Sequence, residues 1–505
     1  MPEAANANTT VFLVSFALYT LAIVAVGLYS ARFAKRSDED YFLAGRSLGS
    51  WVAALSASAS SESGWVTLGL VGWAFGSGVS AYWIIPGCLL GFLFNWFVIA
   101  GRLRDKSHEL NALTLPDFFA FTFRERIPLV RTLSVIVILV AMLLYVAAQL
   151  AAAGKAFAAS FGIIDYQVGV IIGAAVVLLY TVLGGFRAVC WTDFLQALLM
   201  VGTLIIFPIY LLAQHNGYGF IFDQLGATDE SLLRFTPEKS GAALIGFLLG
   251  SGALGINFGY PGQPHVLIRF MALKHRREAI VGGIISFLWG LAVYWGAVTV
   301  GLMARALTTE GAQWGQVLLE SDEKAELGLV LSAMHLLPGV LGGLVLAAVL
   351  AAICSTADSQ LVVAASSAAS DLYARLFSKV KTKSHMVVNR LVVFALGITA
   401  VLLVIDQDVQ VYEYVLTYGW AILGAAFGPQ MILALLWKRA SYAGCLCGML
   451  TGFAMAIIWK QTYGAVDREI EIYNLPIAFV AAFVVNFVIS LVIPDKPDTQ
   501  KAEKP

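Results

Sequence analysis

The sequence predicts an all-α polytopic membrane protein of about thirteen transmembrane helices, arranged as five-plus-five inverted repeats with two broken helices. Three observations carry that prediction. Of 505 residues, 59% are hydrophobic and 13% charged, a balance far more apolar than that of a soluble domain. Apolar runs of the roughly 20 residues needed to cross the hydrocarbon recur along the whole chain. Two of these runs are interrupted by polar or glycine-rich stretches, "SASASSESG" and "GSGALGINFGYPGQP".

In chain order the expected spans are 9–31, 50–74, 79–101, 128–159, 166–184, 188–213, 240–260, 277–305, 338–368, 388–405, 410–437, 441–460 and 473–494. Residues 1–505 then form one transmembrane domain. Helix 9–31 is peripheral, 50–213 and 240–437 are the two five-helix repeats, 441–494 adds two peripheral helices, and 495–505 is a cytoplasmic tail. With the N-terminus outside, the inner loops, Arg269 in segment 269–277 among them, hold 25 of the 32 Lys and Arg residues. Basic residues favour the cytoplasmic side, so the pattern implies a multi-pass cell-membrane protein with its C-terminus inside. The start "MPEAANANTT" lacks the basic residues of a cleavable signal, so the first run is expected to stay as a helix. Zero net charge argues against nucleic acid as a partner, and no obligate protein partner is evident. The five cysteines lie in or beside apolar runs without metal-ligand spacing.

Serine hydroxyls that bond locally and glycines without a Cβ both weaken a helix interior. In lipid, unwound backbone survives only where protein or water satisfies its amides and carbonyls. Interrupted spans at corresponding positions therefore point to a transporter's binding site near mid-membrane. The second and seventh spans each open a set of five, and because five is odd the second set starts on the opposite side of the membrane. The plain alternative is that small residues merely let helices approach closely.

The ninth span reads "LAAVLAAICSTADSQLVVAASSAAS". Ser355, Asp358 and Ser359 fall at i, i+3 and i+4, so they share one helix face. A carboxylate at the bilayer centre persists where a cation or partner offsets its cost. Asp193 near the start of the sixth span is a second such acid, and Lys155 is an alternative partner for Asp358. Hydroxyls, carboxylates and freed carbonyls suit a hard cation, and no histidine or cysteine cluster suggests a transition metal. Sodium fits, with a proton or another alkali ion left open by residue types alone. The aromatic set Trp65, Trp73, Trp83 and Trp96 reads as anchoring and packing helices near the interfaces, and His265 as a helix-end capping or packing residue.

The segments "RSDEDYFLAGRSLGSWVAALSASASSESGW", "AGRLRDKSHELNALTLPDFF", "YTVLGGFRAVCWTDFLQ", "GYPGQPHVLIRFMA" and "CSTADSQLVVAASSAASDLY" resemble the sodium:solute symporter family, with the greatest likeness to its sodium/proline symporters. The resemblance covers roughly residues 36–440 and implies a LeuT-like fold, no enzymatic activity and Na+ as the coupling ion. It implies a sodium site at Ala59, Glu62 and Ala352 through carbonyls, with Ser355 and Thr356 through hydroxyls. Some members have a second sodium site, which is similar to Asp193, Ser355, Asp358 and Ser359 here. The implied substrate pocket comprises Ser61, Ser63, Gly64, Tyr145, Gln149, Ile256, Tyr260 and Pro264, and Arg46 matches the family's gating or inner-loop arginine. Proline symporters carry aspartate at Ser61, methionine at Glu62, tryptophan at Ile256 and cysteine at Val146. The expected function is thus sodium-coupled import of proline or a related amino acid by alternating access. A sugar, sialic acid, pantothenate or another organic acid remains an alternative solute. A channel fits less well, because the polar groups cluster at two breaks rather than in rings. A membrane sensor is the other class considered, and no signalling domain is expected after residue 494.

Overall fold

A computed structural model describes residues 38–161, 164–373, 382–407, 409–463 and 472–495, with residues 14, 17–23, 25, 26 and 29 of the first expected span. Most of helix 9–31 and of the tail 495–505 lies outside the described residues. Among those described, nine helical stretches are long and apolar enough to cross a membrane. There is no strand among them, only an isolated parallel bridge between Leu48 and Leu273.

The first broken helix begins with α1 (Ser50–Ser61) and ends where Glu62 leaves helical geometry at φ −110°, ψ 78°. The chain restarts in a π-turn, Trp65–Leu70, and continues through α2 (Val71–Ser77). Serine chemistry accounts for the stop, since Ser61 Oγ bonds back to the Ser58 carbonyl at 3.0 Å. The second broken helix runs as α3 (Gly241–Leu248), a 3-10 stretch Leu254–Gly262, and α4 (Pro264–Met271). Pro264 opens α4, where its missing N–H costs nothing. This span was expected to finish at residue 260. It instead extends through α4, which is buried throughout. Gly259 is required by packing, because a Cβ there would lie 1.9 Å from Trp420 Nε1.

Around these breaks stand the long apolar helices α5 (Leu129–Phe161), α6 (Tyr166–Gln214, turning at Gly185 with φ 63°), α7 (Glu278–Glu310), α8 (Gly339–Ser366), α9 (Thr382–Val404) and α10 (Ala421–Leu436). A further long helical stretch, 84–109, stands between α2 and α5, and α6 divides at Gly185, so in both halves a broken helix is followed by four long helical stretches. Two more helices, α11 (Tyr442–Tyr463) and α12 (Asn474–Val492), pack against α10 and each other.

Each end of the bundle carries a buried ion-pair network. At one end Lys155 Nζ lies 2.8 Å from Glu326 Oε2, a pairing that the sequence did not suggest. Glu326 also accepts the backbone N–H groups of Val411 (3.1 Å) and Tyr412 (2.8 Å). A single carboxylate thus joins α5, the short-helix connection after α7, and the start of the helix leading into α10. At the other end Arg131 bonds Asp117, Asp371 (2.5 Å) and Glu125 (3.4 Å), tying the foot of α5 to the segment following α8.

Removing one partner of a fully buried ion pair strands the other, at a cost of about 3–5 kcal/mol. Glu326→Ala is therefore expected to lower the melting temperature of the purified protein by several degrees. An unchanged melting curve would show that this network does not contribute to stability.

Candidate functional site

Two breaks and the middle of α8 meet in the centre of the bundle. Ser355 Oγ lies 3.1 Å from the carbonyl oxygens of both Ala59 and Ala352. Thr356 Oγ1 lies 3.3 Å from the Ala59 carbonyl and 3.2 Å from that of Ser60. All these residues are buried. Of the five residues expected at the sodium site, Ser355 and Thr356 thus meet at the Ala59 carbonyl, and Ala352 adjoins them through the bond of its own carbonyl to Ser355. The fifth, Glu62, is the residue at which α1 stops. Its side chain is fully buried with no hydrogen-bond partner for either carboxylate oxygen, and it faces the Tyr294 hydroxyl.

The break itself is held from α5. Gly64 N–H donates to Gln149 Oε1 at 3.0 Å, and Ser63 Oγ accepts from Trp65 N–H at 3.3 Å. A Cβ on Gly64 would press within 3.0 Å of Ala152. Trp65 is wholly buried and its Nε1 donates to the Ser61 carbonyl at 2.9 Å. It is therefore part of the break and not an interface anchor; Trp96 is buried likewise.

The residues expected to form the substrate pocket, Ser61, Ser63, Gly64, Tyr145, Gln149, Ile256, Tyr260 and Pro264, are all buried. Tyr145 faces Ser63, and its ring meets that of His265 edge-on at 5.9 Å. Tyr260 Oη lies 3.1 Å from Tyr294 Oη, and its ring packs 4.8 Å from Trp420. Trp420 Nε1 donates to the Ile256 carbonyl at 3.1 Å, closing the second break against the helix that continues as α10. Buried polar atoms without a partner collect here: the Tyr145 hydroxyl, Gln149 Nε2, Gln263 Oε1 and both ring nitrogens of His265. Buried polar groups are ordinarily satisfied, so such a cluster marks a place where a polar ligand can complete the bonding. Tyr294, Trp420, Gln263 and Asn95 were not singled out from the sequence. Tyr294, Trp420 and Asn95 belong to apolar runs whose periodicity does not distinguish a site-facing side from a packing side, and Gln263 lies within the second break itself.

A third group lies beside the hydroxyl pair. Asp193 Oδ2 accepts from Ser56 Oγ (2.6 Å), Ser60 Oγ (3.2 Å) and Arg269 Nη2 (2.8 Å). Ser359 Oγ lies 2.9 Å from Ser60 Oγ and accepts from Arg269 at 2.5 Å. Asp193 and Ser359 of the expected second sodium site thus share one cluster, and Ser355 joins it through its carbonyl, 3.4 Å from Ser60 Oγ. Asp358 is also buried, beside Tyr19 and Cys190. Arg269 was counted among inner-loop charges, yet it is fully buried on α4.

Arg46 is remote from the breaks. It bonds Glu39 (2.7 Å) and the Ala112 carbonyl (2.9 Å), pinning the approach to α1 against the connection between Glu109 and Leu115.

Comparison with known proteins agrees with this architecture. The profile of the sodium:solute symporter family matches residues 41–452. The sodium/proline symporter of Escherichia coli K12 is 36% identical over 457 residues, covering 90% of this chain and 89% of that protein. The osmoregulated proline transporter OpuE of Bacillus subtilis 168 is 32% identical over 483 residues, 95% and 94% of the two chains. Among solved structures, a substrate-bound, outward-open Na+-coupled sialic acid symporter superposes with a TM-score of 0.77 at 19% identity, covering 96% of this chain and 99% of that one. Mhp1, a nucleobase-cation-symport-1 transporter, gives 0.53 at 12% identity, covering 91% and 97%. With two broken helices, a repeated order of five crossings and a match along most of its length, the chain belongs to the sodium:solute symporter family.

Proposed function

We propose that this protein is a sodium-coupled symporter that imports proline or a related amino acid across the cell membrane by alternating access. The observation that carries the reading is the convergence of Ser355 and Thr356 on the Ala59 carbonyl at the end of α1. Carbonyls of Ala59, Glu62 and Ala352 with the two hydroxyls make an all-oxygen donor set, suited to a hard monovalent cation. An ion there bridges α1 to α8, which lie on opposite sides of the site. Sodium thereby favours the arrangement in which the substrate groups are assembled, and that differential stabilisation is what coupling requires.

The solute would lie among Ser61, Ser63, Gly64, Tyr145, Gln149, Ile256, Tyr260 and Pro264. The freed amides after the first break suit a carboxylate, since half-helix N-termini attract negative charge. Proline is supported by the named relatives, whereas Ile256, Ser61 and Glu62 depart from their pattern. The two sets 50–213 and 240–437 would rock against each other, with 9–31 and 441–494 peripheral. The Lys155–Glu326 and Arg131–Asp371 networks would open in turn, and Arg46 would steady the inner end. Loop charge supports an outer N-terminus and an inner C-terminus, with 24 basic residues on the inner side once buried Arg269 is set apart from the 25 counted. One sodium moving down 100 mV and a tenfold gradient releases about 3.7 kcal/mol, enough to concentrate a zwitterion several hundredfold.

Reconstitution in liposomes tests the reading. An inward sodium gradient is expected to drive saturable uptake of radiolabelled L-proline, with sugars, sialic acid and pantothenate as competitors. Proline uptake indifferent to sodium would overturn it, and preferential uptake of another solute would replace proline while leaving the symport reading intact. Ser355→Ala and Thr356→Ala are each expected to raise the half-saturating sodium concentration by about tenfold, the effect of losing roughly 1.4 kcal/mol of ion binding. Wild-type sodium dependence in both variants would rule out this ion site.

A further inference from the structure

Glu62 lends its carbonyl to the proposed ion site, which leaves its side chain without a task. That carboxylate is wholly buried at the point where α1 stops, and neither oxygen has a hydrogen-bond partner. It faces the Tyr294 hydroxyl on α7, with Tyr260 of the second break and Cys88 of stretch 84–109 beside it. The two tyrosine hydroxyls lie 3.1 Å from each other. Asp193, Glu326 and Asp371 are buried too, and each meets a guanidinium or an ammonium. Among the described residues, no basic side chain stands against Glu62.

An ionised carboxylate taken out of water alone is costly, so this one calls for a cation that also brings hydrogen-bond donors. A sodium held by Ala59, Ser355 and Thr356 would sit on the α8 side and has no N–H or O–H to give. The solute can supply both, because Glu62 stands between Ser61 and Ser63 of the expected pocket and lies beside its Tyr260. The other orphaned polar atoms complete the pattern. Gln149 Nε2 is a donor, the Tyr145 hydroxyl can donate, and Gln149 reaches the break through the Gly64 N–H. The pocket therefore offers an acceptor-only carboxylate toward α7 and donors toward α5. That is the polarity of a zwitterion with an ammonium at one end and a carboxylate at the other.

We propose that the Glu62 carboxylate is the counter-charge for the protonated amine of the transported solute and thereby sets its class. Amino acids enter the pocket, whereas sugars, sialic acid and pantothenate, which carry no ammonium, do not. The proposal rests on the sodium-symport reading and not on proline in particular. Methionine, which the proline symporters carry at this position, cannot form such a pair, so the contact belongs to this chain and not to those relatives. A hydrogen-bonded charge pair of this kind corresponds to about a hundredfold in affinity.

Ligand-induced thermal shifts of the purified full-length protein, with and without sodium, test this on matched pairs of solutes. L-proline is titrated against (S)-tetrahydrofuran-2-carboxylate, the same ring with an ether oxygen in place of the amine, and L-alanine against L-lactate. Wild type is expected to bind an amine-bearing member about a hundredfold more tightly than its partner, in the presence of sodium. Glu62→Gln is expected to shrink that ratio below about tenfold by weakening the amine-bearing member alone. Glu62→Asp, which keeps the charge, is expected to retain most of it. If Glu62→Gln does not fold, Glu62→Met takes its place with the same expectation. Equal affinity within both pairs on the wild type, or an undiminished ratio on the neutral variant, would overturn the proposal. So would sodium-dependent binding of glucose, sialic acid or pantothenate in place of the amino acids. Binding that ignores sodium, or no binding of any of these solutes, would overturn the symport reading itself, and this proposal with it.

Discussion

A backbone that stops being helical inside hydrocarbon has to find partners for its amides and carbonyls within the protein. Most of the centre of this molecule is organised around that requirement. Ser355, Thr356, Gln149 and Trp65 all bond backbone groups of the first break, and Trp420, Gln263 and Asn95 do the same for the second. The helices contributing those side chains are thereby drawn around the breaks, and their remaining polar atoms are left facing inward. A site for an ion and a polar solute is what results when the partners are placed but not saturated.

Charge follows the same logic at larger scale. Asp193 with Arg269, Lys155 with Glu326, and Arg131 with Asp117 and Asp371 are each buried pairs. Burial makes each pair costly to form and more costly to break on one side only. Such contacts suit positions where two arrangements must be discrete, because a half-opened state strands a charge. Two of the three stand at the ends of the bundle, and the third stands between the broken helices.

Much of this was legible in the sequence, and for a physical reason. Helix breaks in a membrane span must be written with residues that are conspicuous among leucine and valine, so "SASASSESG" and "GYPGQP" reveal both. The i, i+3, i+4 spacing of Ser355, Asp358 and Ser359 likewise sets one face of α8. Partnerships between distant charges were not legible. Arg269 sits five residues before the loop lysine Lys274, and nothing in its neighbours distinguishes a buried guanidinium from a solvated one. For Lys155 the sequence offered Asp358, and only the course of the chain after α7 brings Glu326 to it. The seventh span was cut short because hydropathy falls where Pro261, Gln263 and His265 enter, although the helix resumes and stays buried. Trp65 was assigned to an interface because an indole that packs against a break has the same local sequence as one that anchors.

The small bridge between Leu48 and Leu273 has a mechanical consequence. Leu48 N–H donates to Ala272 at 3.1 Å and its carbonyl accepts from Lys274 at 2.9 Å, so the entry to the first broken helix is stitched to the exit of the second. The two discontinuous elements are hinged together like shears at that tip. They can spread at the far tip or swing jointly, whereas parting at the stitched tip would sever a ladder already in place.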